Sequence, residues 1–181
     1  MARKRIKFNV LSQSSIMTAK KELLLYRNSL QNKCEILVAR LLEEGIIVAR
    51  QDLGEYGKYV SFSMSTSPEQ YGCKGILLAT NTGIIHSEWR TQDGVKSADV
   101  SPLLMMEFGS GHKAQNPLGV PGMGQGTFPG QTHAFDSNGW WYMDLSGEWH
   151  HSYGMTPKMP MYKATINMKK RIISIAKEVF R

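Results

Sequence analysis

The residues best suited to metal chemistry are the histidines, of which the chain has five. Glu148, His150 and His151 could recruit an ion. The site would be completed if His133, Asp136 or Asp144 came close to them. Adjacent histidines on a strand point to opposite faces, however, so His150 and His151 cannot easily share one ion. The chain also lacks the His-Glu-x-x-His and Cys-x-x-Cys spacings of common zinc sites. We therefore expect no metal, and a metal-dependent enzyme using His133, His150 and His151 is the weakest alternative.

Residues for nucleophilic catalysis have no better support. Ser110 and His112 are close in sequence, but the segment lacks the Gly-x-Ser-x-Gly spacing of a nucleophile elbow. Cys34 lies on an apolar helix stripe, where packing explains it, and Cys73 has no identified base beside it. The carboxylates are scattered, and no pair is spaced for acid–base catalysis. We therefore predict no enzymatic activity and no cofactor.

The composition describes a single globular domain covering residues 1–181. The chain is 41% hydrophobic and 20% charged, which is near the average of folded proteins. No apolar run approaches the roughly 18 residues of a membrane span, and no apolar signal segment follows the basic start. Two cysteines make no disulfide framework, so we expect synthesis in a reducing cytosol.

Positive charge is concentrated at the two ends of the chain. Residues 1–7, in a predicted basic arm of residues 1–14, carry +4, and residues 158–181 carry +6, which leaves −3 for the rest. A solvated tail and helix face would explain this pattern, and so would contact with a polyanion, either DNA or an acidic protein. No aromatic residues alternate with the basic ones, so sequence-specific reading of nucleic acid is not supported. The residues predicted to contact a polyanion are Arg3, Lys4, Arg5, Lys169, Lys170 and Arg171.

Two long helices are predicted. Apolar residues recur every three or four positions from residue 15 to about 50, after a serine cap at Ser14 or Ser15. This helix would be roughly 50 Å long, with Gly45 as a candidate kink and Gly54 at its end. Its apolar surface is wider than one stripe, which indicates a second partner. The final helix is predicted over residues 157–180, with a basic outer side.

The segments between the helices predict strands, which gives an α+β fold of two helices on a mainly antiparallel sheet. Asn81 to Gly83 supply turn chemistry for one hairpin, and Ser146-Gly147 for another. The predicted strands are residues 60–65, 76–79, 84–89, 103–108, 140–145 and 148–153.

Residues 109–139 hold eight of the 17 glycines, so an extended loop is predicted there. Long loops in compact domains are usually functional or disordered, and the apolar content of this one indicates docking. Trp140 and Trp141 follow it on opposite faces of a strand, so one can fill the core and the other can face a partner. We expect this loop and one of the two tryptophans to make contacts between subunits of a ring or between rings. The predicted interface residues are Glu107, Phe108, Phe128, Phe135, Trp140 and Trp141.

Two short segments resemble a known family. One is Met106-Glu107-Phe108-Gly109-Ser110-Gly111, and the other runs from Met155 to Ala164 through Pro157 and Pro160. With a long first helix and a glycine-rich segment between them, they resemble minor structural proteins at the neck of tailed bacteriophages, the head–tail connector or tail-completion family. In that family an apolar strand commonly ends in Glu-Phe-Gly-Thr, and Ser110 stands where threonine is usual.

The resemblance implies a non-enzymatic virion protein, made in the host bacterial cytoplasm and located in the neck or tail. Such proteins form rings, expected here to be hexameric, between the head-closure or connector proteins and the tail tube or tail terminator. DNA passes through the centre of the ring, where the basic ends of this chain could meet it. The alternative is a basic DNA-binding module, which would bind free duplex with strong salt dependence.

Overall fold

The computed structural model describes residues 5–70, 72–115, 133 and 136–181, and it has an α+β fold. Within these residues the helices are α1 (Gln13–Leu53), α2 (Pro102–Phe108) and α3 (Pro160–Val179). The strands are β1 (Val60–Glu69), β2 (Gly72–Asn81), β3 (Ile85–Thr91), β4 (Gly94–Val100), β5 (Trp140–Met143) and β6 (Trp149–Ser152).

Helix α1 is one continuous helix of 41 residues, about 60 Å long. Its cap is Ser12, whose hydroxyl accepts a hydrogen bond from the backbone N–H of Ser15, so the predicted caps lie inside the first turn. Gly54 ends the helix with a positive φ of 54°, as the sequence predicts. Gly45 does not interrupt it. A Cβ there would lie about 3.0 Å from the sulfur of Met168, so the glycine allows α3 to approach closely.

A hairpin of β1 and β2 packs along the C-terminal half of α1. Its turn lies beside the middle of the helix, where the side-chain amide of Gln31 donates to the carbonyl of Gly72, 3.1 Å away. Gly75 faces α1 so closely that an added Cβ would overlap Val38 and crowd Leu42. The hairpin therefore covers α1 from its end back to about Gln31.

Helix α3 lies on the same half of α1 and runs antiparallel to it. Ion pairs follow the contact from one end to the other. They are Lys163–Asp52 at 3.2 Å, Arg171–Glu44 at 3.1 Å and Glu178–Arg40 at 3.4 Å. At the far end Lys33 donates to the carbonyl of Arg181. Both partners of α1 thus stop near residues 31 and 33.

The other strands form an antiparallel sheet in the order β4-β3-β5-β6, here called the second sheet. It sits at the C-terminal end of α1, because Tyr56, three residues beyond the helix, lines a small apolar cavity with Ile85 and Val100 of the sheet. Leu53, Val60 and Met106 form the buried core beside this cavity.

Two sequence predictions about strands were wrong. Residues 103–108 form α2, not a strand, because Ser101 caps the segment and Pro102 occupies its first turn. Residues 76–79 and 84–89 do not pair across Asn81–Gly83. β2 pairs with β1 instead, and β3 pairs with β4 across Gln92 and Asp93.

Two sequence predictions for the C-terminal part of the chain agree better with the structure. The hairpin around Ser146-Gly147 is confirmed as β5 and β6. The last helix is confirmed but begins at Pro160, three residues later than predicted. In the part of the chain that the structure describes, no helix is both long and apolar enough to cross a bilayer.

Candidate assembly surfaces

A buried carboxylate joins the two segments that carry the family resemblance. Glu107, in the last turn of α2, is only 7% exposed. Its oxygens accept hydrogen bonds from the backbone N–H groups of Met161 (2.7 Å) and Tyr162 (2.9 Å) in the first turn of α3. These N–H groups have no partner within the helix, so the carboxylate acts as an N-cap supplied from outside it.

The same junction is closed by backbone contacts. Met106 accepts from the N–H groups of Lys158 and Met159, and Ser110 exchanges hydrogen bonds with Met155 through its N–H and its hydroxyl. The backbone of Gly154 comes so close to Ser110 that no side chain fits there. Burial raises the pKa of Glu107, and the two backbone hydrogen bonds oppose that shift. The junction fixes the direction in which α3 leaves the second sheet.

One face of the second sheet is aromatic and open to solvent. Trp141 lies opposite His151, and Trp149 lies opposite Met143, so all four side chains project from one face. Trp141 is 65% exposed and Trp149 is 59% exposed. His151 packs between the rings of Trp141 and Tyr153, with ring centroids 4.7 and 4.5 Å away. We call this surface the aromatic face.

Acidic residues surround the aromatic face. Arg90 pairs with Met143, which places Glu88 on the same face as Arg90, and Asp99 lies opposite His86 there. His86 hydrogen-bonds Asp99 (2.9 Å) and Glu88 (3.2 Å), and these bonds raise its pKa. Residues 85–100 and 136–152 contain six acidic and two basic residues, a net charge of −4.

The turn between β5 and β6 brings together three groups that can ligate metals. Ligand atoms of Asp144, Glu148 and His150 lie within 4.8 Å of one another. Hydrogen bonds from the Ser146 hydroxyl, from His150 and from the Glu148 N–H hold the pKa of Asp144 far below its usual range. These bonds within the turn account for the arrangement without an ion.

The histidines of the metal-enzyme alternative make separate contacts in the described residues. His133 stacks on Trp140, with centroids 4.8 Å apart. His151 donates to the carbonyl of Asn138, whereas His150 turns to the other face and bonds Asp144. The opposite orientation of the two adjacent histidines is as the sequence predicts.

The N-terminal part of α1 extends beyond its packing partners. Since the hairpin and α3 stop near Gln31 and Lys33, residues 13–30 project about 27 Å beyond these two elements among the described residues, and Ala19 is the buried residue of this stretch. We call these residues the α1 extension. Leu23 and Leu24 are 56% and 47% exposed, and apolar side chains occur on several sides of the helix. The exposed apolar residues of the extension are Ile16, Met17, Leu23, Leu24, Leu25 and Tyr26.

Positive charge lies on the α1 extension and on α3. Residues 5–30 carry five basic residues and one acidic residue, a net charge of +4. On α3, Lys169 and Lys170 are exposed, whereas Arg171 pairs with Glu44 of α1. Of the predicted polyanion contacts, Arg5 is exposed, and Arg3 and Lys4 lie outside the described residues.

The predicted interface residues have different positions in the structure. Phe128 and Phe135, like most of residues 109–139, lie outside the described residues. Glu107 and Phe108 are buried inside the chain. They could therefore affect a contact with another subunit only through the residues packed around them. Trp140 lies against Gly111 on the inner face, and Trp141 is exposed on the outer one.

Sequence reasoning missed two contributors to these surfaces. Trp149 and Tyr153 share a face with Trp141, and the alternation of residues in the predicted hairpin could have shown this for Trp149. The exposure of Leu23 and Leu24 could not be predicted, because it depends on where the hairpin and α3 stop along α1. Comparison of the chain with family models, curated proteins and solved structures finds no match.

Proposed function

We propose that this chain is a structural subunit of a ring in the neck of a tailed phage or a phage-derived particle. The ring would join the head-side connector to the tail tube or tail terminator, with DNA passing through its centre. The observation that carries the proposal is the pair of exposed apolar surfaces, the α1 extension and the aromatic face. Water-exposed apolar patches of this kind mark sites of protein association.

The site chemistry also favours a structural role. Glu107, the most buried acidic side chain described, uses both of its oxygens to cap a helix. The contacts between the segments 106–111 and 155–164 support the resemblance, because the two short motifs meet at one junction. They would hold α3 and the second sheet in a fixed relation, which a ring subunit needs.

The proposal is tested by removing the chain from the particle. A stop codon early in its reading frame should give DNA-filled heads and finished tails that stay separate in electron micrographs. The wild-type chain supplied in trans should restore joined particles, which controls for effects on neighbouring genes. Normal, infectious particles that lack the chain would refute the neck role.

A second candidate is a DNA-binding module, favoured by the exposed lysines of α3. Residues 158–181 carry a net charge of +6, although Arg171 and Lys163 are already paired with acids of α1. Such a module would bind free duplex without the particle, and its affinity would fall steeply with salt. A contact with DNA inside a ring needs no such affinity for free DNA.

A further inference from the structure

We infer that the α1 extension of one copy docks on the aromatic face of the next copy. The inference deepens the proposed function, since it rests on the chain forming a ring, and it names the two surfaces that join. The occupant of the aromatic face is therefore a second copy of this chain, and the contact is head-to-tail.

The first argument is the position of the two surfaces. The second sheet is attached at the C-terminal end of α1, beside Tyr56, and the α1 extension is the opposite end of the same helix. A helix of 41 residues separates its ends by about 60 Å. The two surfaces of one molecule therefore cannot meet, and any contact between them must join two copies.

The second argument is charge. The α1 extension, residues 13–30, carries +2, and the aromatic face carries Glu88 and Asp99 against Arg90, a net charge of −1. Pairing of two α1 extensions, or of two aromatic faces, would bring like charges together, which costs free energy. Contact of an α1 extension with an aromatic face brings opposite charges together instead.

The third argument is the chemistry of the side chains. Trp141 and Trp149 are large and exposed, and Lys20, Lys21 and Arg27 stand among the exposed leucines of the α1 extension. Cations over indole rings are attracted by the ring quadrupole, and the leucines can pack on the same rings. Either surface alone leaves apolar area in water, and the contact covers both.

A single contact between the α1 extension and the aromatic face is small, and a ring would repeat it. A helix about 27 Å long and about 10 Å wide covers roughly 500 Å² of a partner, below the about 800 Å² per side of a standard interface. Phe8, Val10 and Leu11, exposed just before the helix, would add to it. In a closed ring every copy also makes the contact twice, once with each surface.

The experiment uses two full-length variants, each with one surface altered. Lys20→Glu with Lys21→Glu reverses the charge of the α1 extension, and Trp141→Ala with Trp149→Ala removes the aromatic face. Sedimentation velocity should show oligomers for the wild type and a dissociation constant raised at least tenfold for each variant. Mixed in equal amounts, the two variants should form dimers and nothing larger, because each keeps one intact surface.

The control is Lys74→Glu with Lys177→Glu, which makes the same change in net charge on exposed residues outside both surfaces. It should associate like the wild type. If the tryptophan variant loses its helical circular dichroism, Glu88→Lys, which reverses a charge on the aromatic face, replaces it.

The inference is overturned if either surface variant assembles like the wild type, if the mixture stays monomeric, or if the wild type itself is monomeric at every concentration. Removal of the chain from the particle, by the stop codon described above, tests the neck role separately from this contact. Unjoined particles together with a monomeric free chain would leave the neck role standing and sink this contact. If the free chain forms oligomers through these surfaces but particles that lack the chain are joined normally, the contact stands and the neck role is refuted.

Discussion

At the scale of single residues, Glu107 determines how α2 connects to α3. Its two oxygens accept from consecutive N–H groups of α3, while burial disfavours the ionised form. The carboxyl is thus held between two opposing effects, of which burial is the larger. This balance has a measurable consequence for stability.

We expect Glu107→Gln to become relatively more stable than the wild type as the pH rises. The raised pKa means that the folded state favours the protonated carboxyl, so its contribution is complete below the usual glutamate pKa and is lost as the pH rises through the raised value. The free energy of unfolding, measured with urea from about pH 4 to about pH 7, should therefore move in favour of the variant.

Glu43→Gln is the matched control, because Glu43 is an exposed glutamate of α1. The change with pH at Glu107 is measured relative to this variant, which makes the same chemical substitution. If the wild type instead gained stability relative to Glu107→Gln with rising pH, the two hydrogen bonds would outweigh burial and the assignment would be wrong.

Some of these residues could be placed from sequence. The alternation of a strand is enough to put Trp140 and Trp141 on opposite faces, as the structure shows. The role of Glu107 was beyond reach, because its partners Met161 and Tyr162 lie more than 50 positions away in the chain. A local pattern holds no information about such a contact.

At the scale of elements, the hairpin packs on α1 through a glycine. Gly75 lies so close to Val38 that an added Cβ cannot be accommodated without a shift of the helix or the strand. The absence of a side chain at this position therefore sets the spacing between the hairpin and α1.

We expect Gly75→Ala to lower the free energy of unfolding by about 1–2 kcal/mol, because overpacking forces the hairpin away from α1. Thermal unfolding followed by circular dichroism measures the effect. Gly57→Ala is the control, since the nearest atom to an added Cβ there is 3.9 Å away. Equal stability of the two variants would show that the hairpin moves freely on the helix.

Element prediction succeeded where a pattern was long and failed where it was short. The forty-odd residues of α1 repeat their apolar spacing many times, and Gly54 marks the end. Residues 103–108 are too few for a period to be read, and only Ser101-Pro102 indicates a helix start. The β3–β4 pairing was missed although Asp93-Gly94 is a strong hairpin signal. The turn residues at Asn81 instead led to the prediction that the strands on either side of them pair with each other.

At the scale of the whole molecule, charge is separated along the chain and along the fold. The α1 extension and α3 are basic, and the second sheet is acidic. The sequence shows basic ends, but not that the start of α1 projects about 27 Å beyond the hairpin and α3, since that projection follows from where these two elements stop along the helix.

For the second candidate function, a DNA-binding module, we expect Lys169→Glu with Lys170→Glu to reduce binding to duplex DNA and to lower the salt dependence of the remaining affinity. Removal of two phosphate contacts should lower the slope of log affinity against log salt by about 2. Fluorescence anisotropy at several salt concentrations measures this slope. Lys20→Glu with Lys21→Glu makes the same charge change elsewhere, and an equal effect of both pairs would indicate attraction by net charge alone.

The length of α1 has a consequence for how many copies close a circle. Because this helix carries one joining surface and the second sheet at its other end carries the other, each added copy would repeat the same rotation and the same rise, and only zero rise gives closure. A small bend in the helix would change the rise at every step, so the errors would accumulate into a spiral. The close approach of α3 at Gly45, with its limited room for larger side chains, would then control the copy number as well as the packing.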